Sequence, residues 1–274
     1  MNKTILVTGA NSGLGKAMTL ALSEAGHRVF AAMRDTAQNP FPSGGNIDIV
    51  RMDVCDDVQI AEAVRELKEK HRIEGLDVLI NNAGAAMPGP LERATRAMMV
   101  EQFNVNVFSV ISVSNHFLPL LKARRGKILN VGSMSSRMAI PFVGLYGASK
   151  AALKQVSWAL RLELRAWHVE VCHLELGNFP SAIWDKASFD TKEWENDPYR
   201  PFVEKISSLM QSRSASFNAP ELLCRKVLHL IGRERNPFNT VVGRDAKLRR
   251  LLTTLAPFHL LERLLIQKIC PSKP

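Results

Sequence analysis

Tyr146 and Lys150 lie four residues apart in Tyr146-Gly147-Ala148-Ser149-Lys150, at the opening of a segment with helical spacing. Residues four apart share a helix face, so a phenol and an ammonium can point into one cleft. Such a pair is a candidate acid/base. A phenol has a pKa of about 10, so work as a base near neutrality needs a drop of about 3 pH units, or about 4 kcal/mol. A cation about 4 Å away supplies about 1 kcal/mol in bulk water and about 4 kcal/mol at an effective dielectric near 20. Lys150 is therefore adequate only in a shielded site. Ser133, thirteen residues before Tyr146, carries a hydroxyl that could hold a substrate oxygen. Asn106 sits inside a helical pattern that does not favour Asn. Each also has an ordinary explanation: Tyr-x-x-x-Lys arises by chance, and Ser or Asn can simply bond the backbone.

A second group of residues has the chemistry of an anion cradle. Gly9, Asn11, Ser12, Gly13, Leu14 and Gly15 close a β-branched run and open a helical one. Glycines let the backbone approach a pyrophosphate closely, and a helix N-terminus offers free N–H groups and partial positive charge. The spacing is G-x-x-x-G-x-G, not the more usual G-x-G-x-x-G. About twenty residues on, where an NAD-binding chain would place a carboxylate against the ribose, this chain has Met33-Arg34. A guanidinium there suits a 2′-phosphate, which points to NADP(H). Asp53 and Val54 follow the third predicted strand, and Asp53 could accept a hydrogen bond from an adenine amino group. Asn82, Ala83 and Gly84 end the fourth, where small residues let a cofactor lie over the sheet edge. Simple turns would explain both segments equally well.

These residues need a scaffold that gathers strand ends. Strands are predicted at Lys3–Thr8, Arg28–Met33, Ile47–Met52, Val78–Asn81, Lys127–Val131 and Glu170–Leu174, with a seventh near Thr240–Val242. Helical patterns fall at Gly15–Ala25, Val58–His71, Met98–Leu121, Leu145–Trp167 and Pro220–Ile231. Alternation of this kind predicts an α/β fold: a Rossmann-type, doubly wound parallel sheet of about seven strands with helices on both faces. No linker divides the chain, so residues 1–274 are expected to form one domain. Two regions break the rhythm. Residues 178–218 carry Phe179, Trp184, Phe189, Trp194, Tyr199 and Phe202 among charges and prolines, and are expected to form a lid over the site. Residues 246–274 are a basic amphipathic extension interrupted by Pro257, with Leu248, Leu251, Leu252 and Leu255 at helical spacing.

Composition narrows the class. Apolar residues make up 46% of the 274, enough for a substantial core. The four cysteines, Cys55, Cys172, Cys224 and Cys270, form no CxxC pair, and the histidines show no HExxH spacing. No structural or catalytic metal is expected, and a reducing cytoplasm fits best. No apolar run is long enough to span a bilayer. The net charge of +10 is spread along the chain without a nucleic-acid motif, and reads as a solvated basic surface.

Taken together, the turn Thr8–Gly15, Asn81–Gly84, Asn106, Ser133, Tyr146 and Lys150 resemble the short-chain dehydrogenase/reductase family, over about the first 180 residues and in the expected order. The resemblance implies a hydride-transferring oxidoreductase. In it Tyr146 exchanges a proton with the substrate oxygen and Ser133 orients that oxygen. Lys150 binds the nicotinamide ribose and lowers the Tyr146 pKa, and Asn106 holds a water in the proton relay. Val242-Gly243-Arg244-Asp245-Ala246 adds a likeness to the 17β-hydroxysteroid and retinol dehydrogenase branch, implying a bulky apolar alcohol or carbonyl substrate. The family also implies a homodimer through the two long helices. One departure is Leu176 before Gly177, where the family has a Pro-Gly pair beside the nicotinamide. The main alternative is an NADP(H)-binding regulator without catalysis. Such a chain should have lost Tyr146 or Lys150, and this one keeps both. A nucleotide-sugar epimerase or dehydratase fits the glycine spacing poorly. For the leucine-rich tail the expectation is ordinary packing, over a subunit contact or a helix on a membrane surface.

Overall fold

A computed structural model describes residues 2–42, 44–180, 183, 194, 196–214 and 217–269. Seven parallel strands form one sheet in the order β3-β2-β1-β4-β5-β6-β7. They are β1 (Thr4–Thr8), β2 (Arg28–Met33), β3 (Ile47–Arg51), β4 (Val78–Asn81), β5 (Lys127–Val131), β6 (Glu170–Leu176) and β7 (Asn239–Val242). Alternate residues of each central strand enter opposite cores. Ile5, Val7, Val78, Ile80 and Leu129 join one core, while Leu6, Leu79 and Ile128 join the other. Both faces are therefore buried, as an all-parallel sheet requires.

The helices differ from expectation in instructive places. Helix α1 (Gly13–Glu24) and helix α2 (Asp57–Glu69) lie close to their predicted positions. The single helix expected over Met98–Leu121 is instead α3 (Arg96–Phe103), a π-turn over Asn104–Phe108, and α4 (Ser109–Arg124). Helix α5 (Gly144–Glu163) ends in a 3-10 turn, Leu164–Trp167. The chain continues through α6 (Arg200–Ser214), α7 (Pro220–Gly232), α8 (Arg244–Leu255) and α9 (Phe258–Ile269).

The strand order reverses between β1 and β4, and the crevice beyond the carboxyl ends at such a reversal is the usual ligand position in these sheets. Thr8 ties them together. Its hydroxyl accepts hydrogen bonds from the Asn82 and Ala83 N–H groups, both at 3.0 Å. Asn82 in turn donates through Nδ2 to the Thr8 and Gly9 carbonyls at 3.0 and 3.2 Å. Gly9 has φ +63°, a left-handed conformation that suits glycine. A Cβ on Gly15 would overlap the Gly9 carbonyl oxygen and lie 2.6 Å from Asn82 Nδ2. The Gly9 carbonyl and the Asn82 side chain are both held by this network, so Gly15→Ala is expected to cost about 2–3 kcal/mol in urea unfolding and to abolish dinucleotide binding. A variant as stable as wild type, with unchanged affinity, would show that the turn can yield.

Candidate functional site

Helix α1 begins at the foot of the crevice. Ser12 adopts an extended conformation before it and makes no side-chain capping bond, and no acidic residue occupies the first turn. Ala10 N–H bonds the Ala32 carbonyl at 3.1 Å, which fixes the Gly9–Gly15 turn against β2. Asn11 is half-buried in the turn, Gly13 opens the helix, and Leu14 packs beneath it on the core. The arrangement fits a pyrophosphate by backbone donors and dipole alone.

At the end of β2, Arg34 is exposed. The carboxylate beside it, Asp35, is committed to its own turn, accepting from Ala37 N–H at 3.0 Å and Gln38 Nε2 at 2.9 Å. Asp53 does similar local work, accepting from Cys55 N–H at 2.9 Å, while Val54 packs partly against the core. Gly177 bonds the Val242 carbonyl at 2.9 Å, and a side chain there would overlap the Asp245 carboxylate. Asp245 also holds Asn178 N–H and Asn218 Nδ2. In place of the family proline, Leu176 is buried in the core.

The reactive end gathers from the ends of β4 and β5, the π-turn and α5. The π-turn places the fully buried Asn106 against the chain that leaves β4. Its Oδ1 accepts from Ala85 N–H, and its Nδ2 donates to the Ala85 carbonyl and to Ser149 Oγ, all at 2.9 Å. Gln102, one turn earlier, is equally buried; it donates to the Ala85 carbonyl at 2.7 Å and accepts from Met87 N–H at 2.9 Å. Gly84 lies under both reactive groups: a Cβ there would be 3.3 Å from Asn106 Oδ1 and 3.6 Å from Lys150 Nζ. Ser133 caps the Met134–Ser136 turn after β5, with its hydroxyl accepting from Ser135 N–H at 3.1 Å. A hydrogen bond links Ser133 to the buried Tyr146. Lys150 Nζ donates to the Val131 carbonyl at 3.0 Å and stands 5.8 Å from the Tyr146 ring centre.

Electrostatically, this pocket differs from the sequence-based expectation. Burial pushes the Tyr146 phenol up to about 12, and the Ser133 bond offsets this only in part. Burial likewise drives Lys150 down to about 8. The protein's own groups thus keep Tyr146 protonated and do not convert it to a base.

Residues that the sequence reading passed over brace the site. Fully buried Glu175 on β6 receives Arg137 Nε at 2.8 Å and Lys154 Nζ at 2.6 Å. Burial raises its carboxyl, but hydrogen bonds from Arg137, Lys154 and Asn239 outweigh that and hold it below the ordinary value. Arg137 follows the Ser133 turn and Lys154 lies one turn beyond Lys150, so Glu175 clamps both sides of the reactive cluster. The aromatics of residues 178–218 could either line a pocket or pack that segment onto the body, and those described around Phe142 pack together. Phe142 meets Tyr199 at 5.5 Å, Phe202 at 6.1 Å and Trp194 at 6.3 Å between ring centres. Trp184 and Phe189 lie outside the described residues. No cluster of metal-ligating side chains occurs among the described residues.

Lys150 keeps its proton to about pH 10.5 in the unfolded chain but loses it near pH 8 in the fold. The unfolded chain therefore binds more protons between these values, and stability should rise with pH across that window. From about pH 9 the raised Cys172 and Cys224 thiols, and then the Tyr146 phenol, act oppositely, so the Lys150 contribution is read between pH 8 and 10 as a difference from a variant without the ammonium. Relative to Lys150→Met, wild type is expected to gain about 2 kcal/mol over that interval in urea titrations. The variant should also be the more stable at pH 7. Parallel profiles for the two proteins would contradict the burial of a titrating ammonium.

The family model described as short chain dehydrogenase matches residues 3–192. A 3-ketodihydrosphingosine reductase of Bacteroides thetaiotaomicron is 34% identical, with 87% of each chain covered. Mouse (Mus musculus) estradiol 17-beta-dehydrogenase 2 is 31% identical over 98% of this chain and 76% of its own. Among solved structures, a short chain dehydrogenase from Burkholderia cenocepacia in complex with NADP superposes with a TM-score of 0.71. It is 25% identical, covering 96% of this chain and 98% of its own. With its parallel sheet, glycine turn and buried Tyr146–Lys150 pair, the chain is an NAD(P)(H)-binding oxidoreductase that belongs to the short-chain dehydrogenase family, among relatives of the 17β-hydroxysteroid and retinol dehydrogenase branch.

Proposed function

We propose that this enzyme uses NADP(H) to interconvert a bulky apolar alcohol and its ketone or aldehyde, and that it runs chiefly as a carbonyl reductase. The observation that carries the cofactor reading is at the end of β2: an exposed Arg34 beside an Asp35 whose carboxylate is held by Ala37 and Gln38. A guanidinium whose neighbouring carboxylate is bonded within its own turn favours the 2′-phosphate. Gly9, Asn11, Ser12, Gly13, Leu14 and Gly15 would hold the pyrophosphate, Asp53 and Val54 the adenine side, Asn82, Ala83 and Gly84 the sheet edge, and Gly177 the nicotinamide side.

When bound, the nicotinamide supplies or accepts the hydride. Tyr146, kept neutral by burial, gives its proton to the substrate carbonyl oxygen, and Ser133 orients that oxygen. Lys150 places its charge beside the phenol and holds the ribose. Asn106, with its side chain committed to Ala85 and Ser149, is a positioning residue for the relay. The substrate class draws support from the apolar loop before Tyr146, where Ile140 and Phe142 meet the lid helix at Val203 and Ile206. The names of the relatives point the same way, to a ketodihydrosphingosine, a retinol and an estradiol.

The same reading carries a lid over 178–218 and a homodimer. The exposed Phe108, in the π-turn before α4, and Leu162 on α5 suit a subunit contact. An exposed free Cys55 suits a reducing compartment such as the cytoplasm. No helix among the described residues is long and apolar enough to cross a membrane.

Titration by protein fluorescence should show NADPH binding tighter than NADH, with Arg34→Ala losing about 10- to 100-fold toward NADPH alone. Equal affinities would remove Arg34 from the site; no binding of either nucleotide would sink the proposal. In steady-state assays with steroid, retinoid and aliphatic carbonyls, Tyr146→Phe should bind NADPH normally and lose about 10²–10⁴-fold in kcat. Binding without turnover by wild type on every carbonyl tried would favour the regulator instead.

A further inference from the structure

The C-terminal leucines do not pack as their spacing suggests. Helix α8 is joined to the body through buried Ala246 and half-buried Thr253, and carries Leu248, Leu251, Leu252 and Leu255 on the opposite side. These four, at successive helical spacings of three, one and three residues, form one continuous stripe. They are 44–73% exposed, and Phe258 at the start of α9 extends the stripe at 79%. Helix α9 turns Leu265 inward against the lid-helix cluster of Val203 and Ile206, but leaves Leu260 and Leu264 exposed.

Cations flank the stripe. Arg244, Lys247, Arg250 and Arg263 are exposed, and Arg249 is half-buried. Of the two carboxylates in residues 244–267, Asp245 is turned inward to Asn178 and Asn218, which leaves Glu262 as the exposed one among the described residues.

We propose that this helical hairpin docks on the surface of an anionic phospholipid bilayer. The leucine stripe and Phe258 would enter the acyl boundary, with the flanking cations against the headgroups. A helix that is apolar on one face and basic at its edges has this affinity, strengthened by acidic lipid. A second copy of the chain is the poorer occupant, because a two-fold contact sets the same cations against one another with little carboxylate to offset them. The seat also explains why the segment is joined to the lid helix. A surface-bound enzyme presents its lid side to the membrane, where an apolar substrate concentrates. Docking through the stripe does not depend on which substrate is bound.

The test is co-sedimentation of the full chain with vesicles of phosphatidylcholine alone and of phosphatidylcholine mixed with phosphatidylserine. Binding is expected to the mixed vesicles and should fall as salt rises. Lys247→Glu with Arg250→Glu should weaken it by about 25-fold or more, at about fivefold for each cation removed. Leu251→Asp with Leu255→Asp should abolish it. Both double variants alter exposed side chains, so circular dichroism and NADPH titration are expected to match wild type, and either pair alone suffices if the other fails to fold. Failure of the intact chain to sediment with the mixed vesicles overturns the proposal. So does full binding by the leucine variant. A leucine variant that keeps vesicle binding but drops to a smaller species in analytical ultracentrifugation would assign the stripe to a contact between copies.

Discussion

A lysine ammonium buried at the end of β5 is the constraint around which this site is built. Desolvating such a group costs several kcal/mol unless polar partners replace the lost water. The Val131 carbonyl, 3.0 Å from Lys150 Nζ, is one such partner. The deficit appears as the fall of Lys150 to about 8, still high enough to keep it mostly charged at neutral pH. A charge held without full compensation is available to whatever binds beside it. The same dryness that depresses Lys150 lifts Tyr146 to about 12, so the site stores an ammonium next to an un-ionised phenol. Electrostatic work of this kind is done during folding, not at the moment of reaction.

Helix α5 can carry this strain because its other polar faces are satisfied. One turn beyond Lys150, Lys154 meets Glu175, and Arg137 meets the same carboxylate from the Ser133 turn. A turn further, Ser157 accepts from Asn130 Nδ2 at 2.9 Å, and Asn130 accepts from Asn81 at 2.8 Å. These contacts fasten α5 to β6, β5 and β4 in succession, so the residues that face the crevice cannot shift without breaking buried pairs. The helix thus places two cations one turn apart in opposite settings, Lys154 neutralised and Lys150 left to act.

Much of this was legible in the sequence because it is local. The glycine spacing of Gly9–Gly15, the four-residue interval of Tyr146 and Lys150, and the alternation of strand and helix are each written in a short window. What escaped was non-local or one residue wide. Gln102 and Glu175 are common residue types whose roles depend on partners at Ala85, Met87, Arg137 and Lys154, which no window contains. Thr8 sat inside the quoted turn, yet its clasp on Asn82 and Ala83 depends on two strands meeting. The π-turn at Asn104–Phe108 inserts one extra residue into an otherwise helical pattern, a shift that apolar periodicity averages away. In the tail, leucine periodicity fixed the stripe but not its direction. Spacing says which residues share a face, and only the tertiary contacts of Ala246 and Leu265 say which face is covered.

Helix α6 meets the start of α5 through one strained residue. Phe142, four positions before Tyr146, adopts φ +63°, a conformation that is a true outlier for a bulky side chain. Such backbone costs about 1–3 kcal/mol and persists only where its surroundings over-determine it. Here the surroundings are the Trp194, Tyr199 and Phe202 rings on one side and Gly89 N–H, 2.8 Å from the Phe142 carbonyl, on the other. Aromatic pairs of this geometry each add about 0.5–1.5 kcal/mol beyond their buried area, so three of them offset the strain. The consequence is mechanical. Packing against α6 and the start of the helix that carries Tyr146 share one residue, and neither can be repacked without moving the other.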